Sequence, residues 1–327
     1  MLSRILAAGQ KHLRPSSLFL TAALGLSAHT AQAADTKLTM GTGAKSGYYF
    51  AVGSLLCTSF AQGTVGYKCI AKATDGPREN LPKLRRGKFN LVVARSDWAQ
   101  DALKGAHFFK NKGADTSLHS LFSINSAPLT VIARAGSDIR SVDDLNGKRV
   151  NLDGSATHLV QQLPRAANWD TSAFDTYKPN EKNPLRKQLC LGDIDAVAIV
   201  VSYPASWIQK TARTCPIQLV SASGRQIDRL VSRSDALSKD TIPANTYKGV
   251  ASPTKTFGFR ATLLSSAKVP EDDVYAFVKS TFENLPQLAR NHPALSGLQP
   301  SIMIREGLTA PLHPGAVRYY RERGWIK

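Results

Sequence analysis

The stretch LTMGTGAKSGYYFAVGSLLCTSF, residues 38–60, decides the fold of this chain. It is typical of a β-strand, a glycine-containing loop and a helix in succession. The loop at residues 41–47 follows the carboxyl end of the strand and precedes the amino end of the helix. Free backbone N–H groups and the helix dipole favour a negatively charged ligand group at such a position.

The same pattern occurs twice more along the chain. The second copy has the loop Thr74-Asp75-Gly76-Pro77, with a helix predicted to start near Arg78. The third copy has the apolar run 91–94, then the loop 95–97, and a helix predicted from Trp98. Three such loops side by side on a parallel sheet predict a concave, anion-friendly site at the strand ends.

Residues 1–33 have the features of a secretory signal peptide. A start with three basic residues is followed by the uncharged, mostly apolar residues 17–28 and by the small-residue cleavage site Ala31-Gln32-Ala33. A membrane anchor is the alternative, but the apolar run is shorter than the ~20 residues that a span needs. We therefore predict cleavage after Ala33 and a periplasmic protein.

The size and charge of the mature chain narrow the functional classes. About 290 mature residues predict two domains, at roughly 100–200 residues each. The formal net charge of +18 falls to +15 when the three basic residues of the predicted signal peptide are removed. This charge favours acidic ligands or anionic surfaces. Nucleic-acid binding is not expected, because the chain is predicted to be exported and carries no recognition motif.

Four cysteines, Cys57, Cys69, Cys190 and Cys215, occur in the chain. An even number in an exported protein favours disulfides, and pairing neighbours in sequence gives Cys57–Cys69 and Cys190–Cys215. A metal site is the alternative. The irregular spacing and the lack of a C-x-x-C pair favour disulfides, so neither a metal nor another cofactor is predicted.

Alternating strand and helix patterns indicate an α/β protein. Residues 118–135 and 255–266 are long, β-prone segments that are predicted to cross between two lobes. Between them, residues 141–145 predict a capped short helix, with Asp144 at the capping-box position. Residues 153–157 form a fourth loop between a predicted strand and a predicted helix.

Two crossings predict two lobes with a ligand cleft between them. Lobe I comprises residues 34–125 and 256–327, and lobe II comprises residues 126–255. Each lobe is expected to contain a mainly parallel sheet flanked by helices.

A series of motifs, in order over nearly all of the mature sequence, resembles the TAXI-type solute-binding subunits of tripartite ATP-independent periplasmic (TRAP) transporters. The motifs are Gly41-Thr42-Gly43 with Gly47-Tyr48-Tyr49, Ala73-Thr74-x-Gly76 with Glu79-Asn80-Leu81, Ser96-Asp97-Trp98, Asp144-Leu145-Asn146-Gly147-Lys148-Arg149-Val150, Gly192-x-Ile194-Asp195-Ala196, Ile242-Pro243-Ala244-x-Thr246-Tyr247 and Ala310-Pro311-Leu312-His313-Pro314-Gly315-Ala316. The resemblance implies a periplasmic-binding-protein-like fold. It also implies a receptor that delivers small organic acids or amino acids to a membrane permease driven by an ion gradient.

Four loops of the predicted cleft depart from the family's pattern. The family's T-G-G-S is replaced by residues 74–77, and the Gln before Ser-Asp is replaced by Arg95. The loop G-x-x-G-S-G-T is shortened to residues 153–157, and G-H-P is replaced by Ser202-Tyr203-Pro204. The family's ligand is therefore not carried over to this chain.

The cleft loops supply the candidate ligand-binding residues. They are Thr42, Gly43, Ser46, Tyr48, Tyr49, Thr74, Asp75, Arg95, Ser96, Asp97, Ser155, Thr157 and Tyr203. The N–H groups of residues 43–47, with Thr42 and Ser46, are predicted to hold a carboxylate. Ser155 and Thr157 are predicted to cap a helix and to bind an anion together.

Several of these residues have an alternative role. Asp75 and Asp97 either take a ligand ammonium group or cap their helices. Arg95 either pairs in a bidentate way with a ligand carboxylate, or pairs with Asp97 or Asp153 and occludes the site.

Three tyrosines complete the predicted pocket. Tyr48 and Tyr49 are placed to line it with one ring and one hydroxyl, although a core role suits one of the two equally well. Tyr203 is predicted to stack on the ligand.

The motifs of common enzymes, G-x-S-x-G, H-E-x-x-H, the P-loop and G-x-G-x-x-G after a strand, do not occur in the sequence. We therefore predict a non-enzymatic, monomeric receptor that binds a small organic anion, a dicarboxylate or an acidic amino acid, and serves the permease subunits of a TRAP transporter. The alternative is a ligand-sensing or interaction module that works with a membrane sensor or an envelope partner without transport. The altered cleft loops and the charge of +15 motivate this alternative.

Overall fold

Nine β-strands form the centre of the molecule in the computed structural model, which describes residues 35–152, 156, 159, 185–291, 295 and 297–327. The strands are β1 (Thr36–Gly41), β2 (Tyr67–Lys72), β3 (Leu91–Arg95), β4 (Leu118–Arg134), β5 (Val150–Leu152), β6 (Ala196–Val200), β7 (Ile217–Val220), β8 (Leu237–Ile242) and β9 (Thr254–Ser266).

The sheet is mixed. Its order is β2-β1-β3-β9-β4-β6-β5, with β7 beside β4 and β8 beside β9. The pairs β1–β2, β1–β3 and β5–β6 are parallel, whereas every pair that includes β4 or β9 is antiparallel. This corrects the expectation of mainly parallel sheets, because the two long strands lie at the centre and run against all of their neighbours.

Strands β4 and β9 confirm the two long β-segments predicted from the sequence. They pair with each other from Leu118 opposite Ser266 to Pro128 opposite Gly258. Nearly all of their residues are buried. A β-carbon at position 258 would lie against Pro128 Cα and 2.6 Å from Ala127 O, so only glycine fits where the two backbones meet.

Helices flank the sheet. They are α1 (Tyr48–Gly63), α2 (Pro77–Arg85), α3 (Ser96–Lys104), α4 (Leu185–Leu191), α5 (Ser206–Thr214), α6 (Arg225–Ser232), α7 (Glu271–Glu283), α8 (Leu285–Asn291), α9 (Pro300–Met303) and α10 (Pro314–Glu322). The helix predicted from Trp98 begins two residues earlier, at Ser96. Helices α7 and α8 are separated at Asn284, because Pro286 has no N–H to donate to the carbonyl of Phe282.

The capped short helix predicted at residues 141–145 is confirmed. It is a 3-10 helix, Val142–Leu145, with a complete capping box. The Ser141 N–H donates to Asp144 Oδ2 over 2.8 Å. Bonds from the N–H groups of Ser141 and Arg140 lower the pKa of the Asp144 carboxyl group.

Apolar side chains form separate clusters along the sheet, and β9 contributes to more than one. Ala261 packs in a cluster with Phe60 and Phe277, whereas Phe259 packs in a cluster with residues of β5 and β6. Strand β9 therefore contributes residues to two separate hydrophobic clusters. The lobe boundaries given above stay a prediction.

Two disulfides confirm the predicted cysteine pairing. Cys57 and Cys69 have Cα atoms 4.8 Å apart, and Cys190 and Cys215 have Cα atoms 5.7 Å apart. No cysteine is left free. The first bond links α1 to β2, and the second links α4 to the end of α5. Closing such short loops contributes ~3 kcal/mol each in the chain-entropy account.

Candidate functional site

The loop between β1 and α1 is held by hydrogen bonds to its neighbours. Thr42 is fully buried, and its hydroxyl donates to Lys72 O over 2.7 Å. Asn80 Nδ2 donates to Thr42 O over 2.6 Å, and the Thr74 N–H donates to Gly43 O over 3.0 Å. These bonds to neighbouring segments hold the loop in place. The hydroxyl of Thr42 is used in one of them and therefore stabilises the fold. Ser46 is exposed.

A cavity of about 270 Å³ opens in front of this loop. Its lining includes four of the predicted residues, Gly43, Tyr48, Tyr49 and Arg95. Residues 200–202, at the end of β6, also line it. The structure thus brings the start of α1, the end of β3 and the end of β6 together around one space.

The two adjacent tyrosines at the start of α1 are held neutral. Burial raises the pKa of Tyr49 to about 12, against a smaller opposing effect of Arg95. Burial also raises the pKa of Tyr48 far above its ordinary value, with Tyr49 adding to the effect. Their rings meet edge to face, with centroids 6.1 Å apart. Both phenols are therefore protonated at neutral pH.

Arg95 pairs with Asp97, one of the two partners within the protein that the sequence suggested, and a ligand-binding role for Arg95 stays a prediction. Arg95 Nε lies 2.7 Å from Asp97 Oδ1, and Arg95 Nη2 lies 2.6 Å from Asp97 Oδ2. The guanidinium also lies over the ring of Phe259, 4.6 Å from its centroid. The Nε and Nη2 groups of Arg95 are therefore already used within the protein, and each carboxylate oxygen of Asp97 accepts one of these bonds.

Ser96 serves the fold through its hydroxyl. The hydroxyl donates to Ala236 O over 2.6 Å and accepts a hydrogen bond from the Arg260 N–H over 3.1 Å. Since Ser96 is fully buried, it ties the start of α3 to β9 and to the entry of β8.

The second loop is also engaged in local bonds. The Thr74 hydroxyl accepts a hydrogen bond from the Gly76 N–H over 3.2 Å. Asp75 is exposed, and its N–H donates to Glu79 Oε2 over 2.8 Å. Ser155 and Thr157 lie outside the described residues.

Tyr203 connects two further cavities. One, of about 500 Å³, is lined by Tyr48 and by residues 199 and 201–208, which include the start of α5. The other, of about 440 Å³, shares Tyr203 and Pro204 with it and extends to β4, β8 and β9. The Tyr203 hydroxyl donates to Asp240 Oδ1 over 3.2 Å. Burial, with Asp240 nearby, raises the pKa of Tyr203. The three cavities adjoin, since Tyr48 lines the first two and Tyr203 the last two.

A model of the NMT1-like family matches residues 40–324. The chain belongs to the NMT1-like family. Among solved structures, the TctC solute binding protein from Polaromonas has a TM-score of 0.53 at 14% identity, with 91% of this chain and 100% of that chain covered. The periplasmic aliphatic sulphonate binding protein SsuA from Escherichia coli has a TM-score of 0.50 at 14% identity, with 88% and 84% covered. This NMT1-like chain therefore has the α/β fold of periplasmic solute-binding proteins.

Three polar residues that line the cavity of about 440 Å³, the third cavity, were missed in the sequence of this NMT1-like protein. They are Asn125, Asp240 and Arg260. Arg260 is 8% exposed, with Nε 3.1 Å from Ser123 Oγ and Nη1 3.2 Å from Glu306 Oε2. A charge in the buried interior of strand β9 was the signal that could have revealed it, because buried arginines need partners.

The described residues of this NMT1-like chain contain neither a metal-binding cluster nor a helix suited to a membrane span. Within them, no cluster of three or more His, Cys, Asp or Glu side chains is arranged to hold a metal ion. No helix built from them combines the length and apolar character that a membrane span requires.

Proposed function

We propose that this NMT1-like protein is an exported solute receptor of the TAXI type. It binds a small organic anion, a dicarboxylate or an acidic amino acid, in a cleft between its two lobes. It then delivers this ligand to the secondary-transport permease of a TRAP transporter. The motif series along the sequence supports the TRAP assignment. The two related structures, both of solute-binding proteins, support a periplasmic receptor that is not an enzyme.

The observation that carries this proposal is a pair of helix amino ends at adjoining cavities. Helix α1 begins after Gly47 and helix α5 begins after Ala205, and neither has a side-chain hydrogen bond at its cap. The first N–H groups of an α-helix have no carbonyl partner within the helix itself. Two helix dipoles directed at one region favour a negative group there.

The charges around the cavities add to this preference. Asp97 neutralises Arg95 within the protein. Arg260 is nearly buried, whereas its partner Glu306 is 39% exposed, so solvent screens the acid more than the arginine. Arg260 is therefore the positive group best placed to attract an anion into the third cavity.

A thermal-shift screen of the protein without residues 1–33 tests the proposal. Dicarboxylates and acidic amino acids are compared with neutral sugars of similar size. A binder at 100 times its dissociation constant stabilises by ~2.7 kcal/mol, which raises the melting temperature measurably. Stabilisation by sugars alone, with none by any acid, would overturn the proposal.

A matched pair of variants tests the arginine. Arg260→Gln should weaken acid binding about tenfold, because a hydrogen bond to a charged group contributes ~1.5 kcal/mol. Arg290→Gln is the control, since Arg290 is exposed and bonds only to Gln287 among the bonds described. Equal losses in both variants would point to a general charge effect.

The transport partner is tested in vesicles that contain the cognate permease. Uptake of the ligand should require this protein and an ion gradient. Uptake that requires ATP would overturn the TRAP assignment.

One observation favours the second candidate, a ligand-sensing or interaction module. The arginine predicted to hold a ligand carboxylate is paired with Asp97 inside the protein. A cleft in which this arginine is occupied by Asp97 is compatible with a protein that does not transport a solute. Such a protein would be recognised, in one conformation or another, by a membrane sensor or an envelope partner. Uptake that proceeds unchanged without this protein would favour that reading.

A further inference from the structure

The cavity of about 440 Å³ beyond Tyr203 is lined by polar groups that no predicted role accounts for. Asn125 and Ser126 come from the middle of β4, Asp240 comes from β8, and Arg260 comes from β9. Apolar residues such as Leu298 and Ile302 line it as well. A concave space with apolar walls and a few polar groups is typical of a small-molecule site.

Three buried oxygen atoms in this lining have no hydrogen-bond partner among the residues that the structure describes. They are Asn125 Oδ1, Ser126 Oγ and Asp240 Oδ2. Asn125 itself is 8% exposed. Buried polar atoms in folded proteins nearly always have partners, so three orphans in one cavity point to a ligand that supplies donors.

The neighbouring bonds orient these acceptors. Asn125 Nδ2 donates to Ser202 Oγ over 2.6 Å and to Ser126 O over 3.0 Å, which leaves Oδ1 as its open atom. The Tyr203 hydroxyl and the Thr241 N–H both donate to Asp240 Oδ1, over 3.2 and 2.7 Å. One carboxylate oxygen of Asp240 is thus fixed by the protein, and the other is left for a ligand.

Arg260 brings the opposite charge to the same cavity. Its Nε and Nη1 bond to Ser123 and Glu306, and its Nη2 makes no hydrogen bond to the described residues. Within the part of the chain that the structure describes, Arg260 and Asp240 form no ion pair with each other. One space therefore contains an open carboxylate oxygen and an open guanidinium nitrogen that do not neutralise each other directly.

We propose that this cavity binds a small zwitterion. Its ammonium group lies at Asp240, Asn125 and Ser126, and its carboxylate lies at Arg260. An ammonium group has three N–H donors and no acceptor, which matches three open acceptor oxygens. A carboxylate, in turn, is the natural partner of a guanidinium.

This inference rests on the proposed function and narrows it. Of the two ligand classes proposed above, it selects the amino acid and disfavours the dicarboxylate, which would place an anion against Asp240. Asp240, Asn125 and Ser126 are thereby assigned as the residues that determine specificity for an amine.

Matched ligands separate the two classes in calorimetric titrations of the protein without residues 1–33. Aspartate is compared with succinate, and glutamate with glutarate, because each pair differs only in the amino group. The amino acid of at least one pair should bind ten times more tightly or better than its partner. Equal or tighter binding of the dicarboxylates would overturn the inference but leave the proposed function intact. Absence of binding by all four would overturn both.

Variants test the assigned residue. Asp240→Asn removes the charge with little change of shape, and should reduce the preference for the amino acid at least tenfold while retaining binding of the dicarboxylate. Asp228→Asn is the control, because Asp228 pairs with Lys239 in solvent, with half of its side chain exposed. A preference that survives in Asp240→Asn would overturn the assignment. If that variant does not fold, Asn125→Leu and the comparison of matched ligands on the unaltered protein still decide it.

Discussion

The contact of β4 with β9 predicts a large effect of adding one methyl group. Gly258→Ala would place a β-carbon against Pro128 Cα, 2.6 Å from Ala127 O and 3.0 Å from Leu129 N. All three atoms belong to the backbone of β4, so no side chain can rotate away. Ordinary carbon contacts lie at about 3.5–4.0 Å, and the strands must therefore separate by roughly 1 Å.

The energetic cost follows from the burial of both strands. Overpacking of a well-packed core costs about 1–3 kcal/mol. Since β4 is buried along nearly its whole length, we expect the upper end of this range. At about 2–4 °C per kcal/mol, Gly258→Ala should lower the melting temperature by about 6–12 °C.

Urea and thermal denaturation, followed by circular dichroism, measure this effect. Gly297→Ala is the matched control, because a β-carbon there meets no described atom within 4 Å. Because it causes no clash, Gly297→Ala should leave the stability of the protein unchanged or raise it by up to ~1 kcal/mol. Such a gain would arise because alanine lowers the conformational entropy of the unfolded chain. A Gly258→Ala protein that melts within 1–2 °C of Gly297→Ala would refute the close approach of β4 and β9, since such a shift is less than about 1 kcal/mol.

Three further predictions concern the cleft and the disulfides. Asp97→Asn frees the Arg95 guanidinium and should tighten calorimetric binding of an organic acid about tenfold, because a charged hydrogen bond contributes ~1.5 kcal/mol; unchanged or weaker binding would contradict the assigned pair. Burial raises the pKa of Tyr49 to about 12, whereas an unfolded tyrosine ionises near pH ~10. Its contribution to the unfolding free energy is therefore full below pH ~10 and is lost as the pH rises towards 12; denaturation curves that depend on pH identically in Tyr49→Phe would speak against it. Replacing Cys57 and Cys69 together by Ser should lower the free energy of unfolding in urea by ~3 kcal/mol. Reactive thiols in the unaltered protein, denatured without a reducing agent, would disprove the pairing.

Local patterns in the sequence predicted the elements that depend on local physics. Strand β9 occupies Thr254–Ser266, close to the predicted 255–266. The capping box at Ser141 and both disulfides also follow from neighbours in sequence. Pro286 is a local signal of the same kind, because a proline without an N–H ends helix α7 just before it.

Features that depend on distant contacts could not be predicted in the same way. Ser96 was expected to face the ligand, yet its hydroxyl bonds to Ala236 O, 140 residues away. The direction of β4 and β9 relative to their neighbours depends on the path of the whole chain, so the mixed sheet escaped prediction. Arg260 shows an intermediate case, because its place in an apolar strand indicates burial but not the cavity that it lines.

The positions of the disulfides have a consequence for maturation. Four cysteines permit three pairings, and the native one joins residues only 12 and 25 positions apart. If the protein is exported from its amino end, as proposed above, Cys57 and Cys69 meet an oxidant before Cys190 has emerged. The order of emergence alone therefore selects the native pairs. Oxidation can finish without an isomerase to reshuffle bonds, and strand β9 then arrives to complete a sheet whose covalent links are already correct.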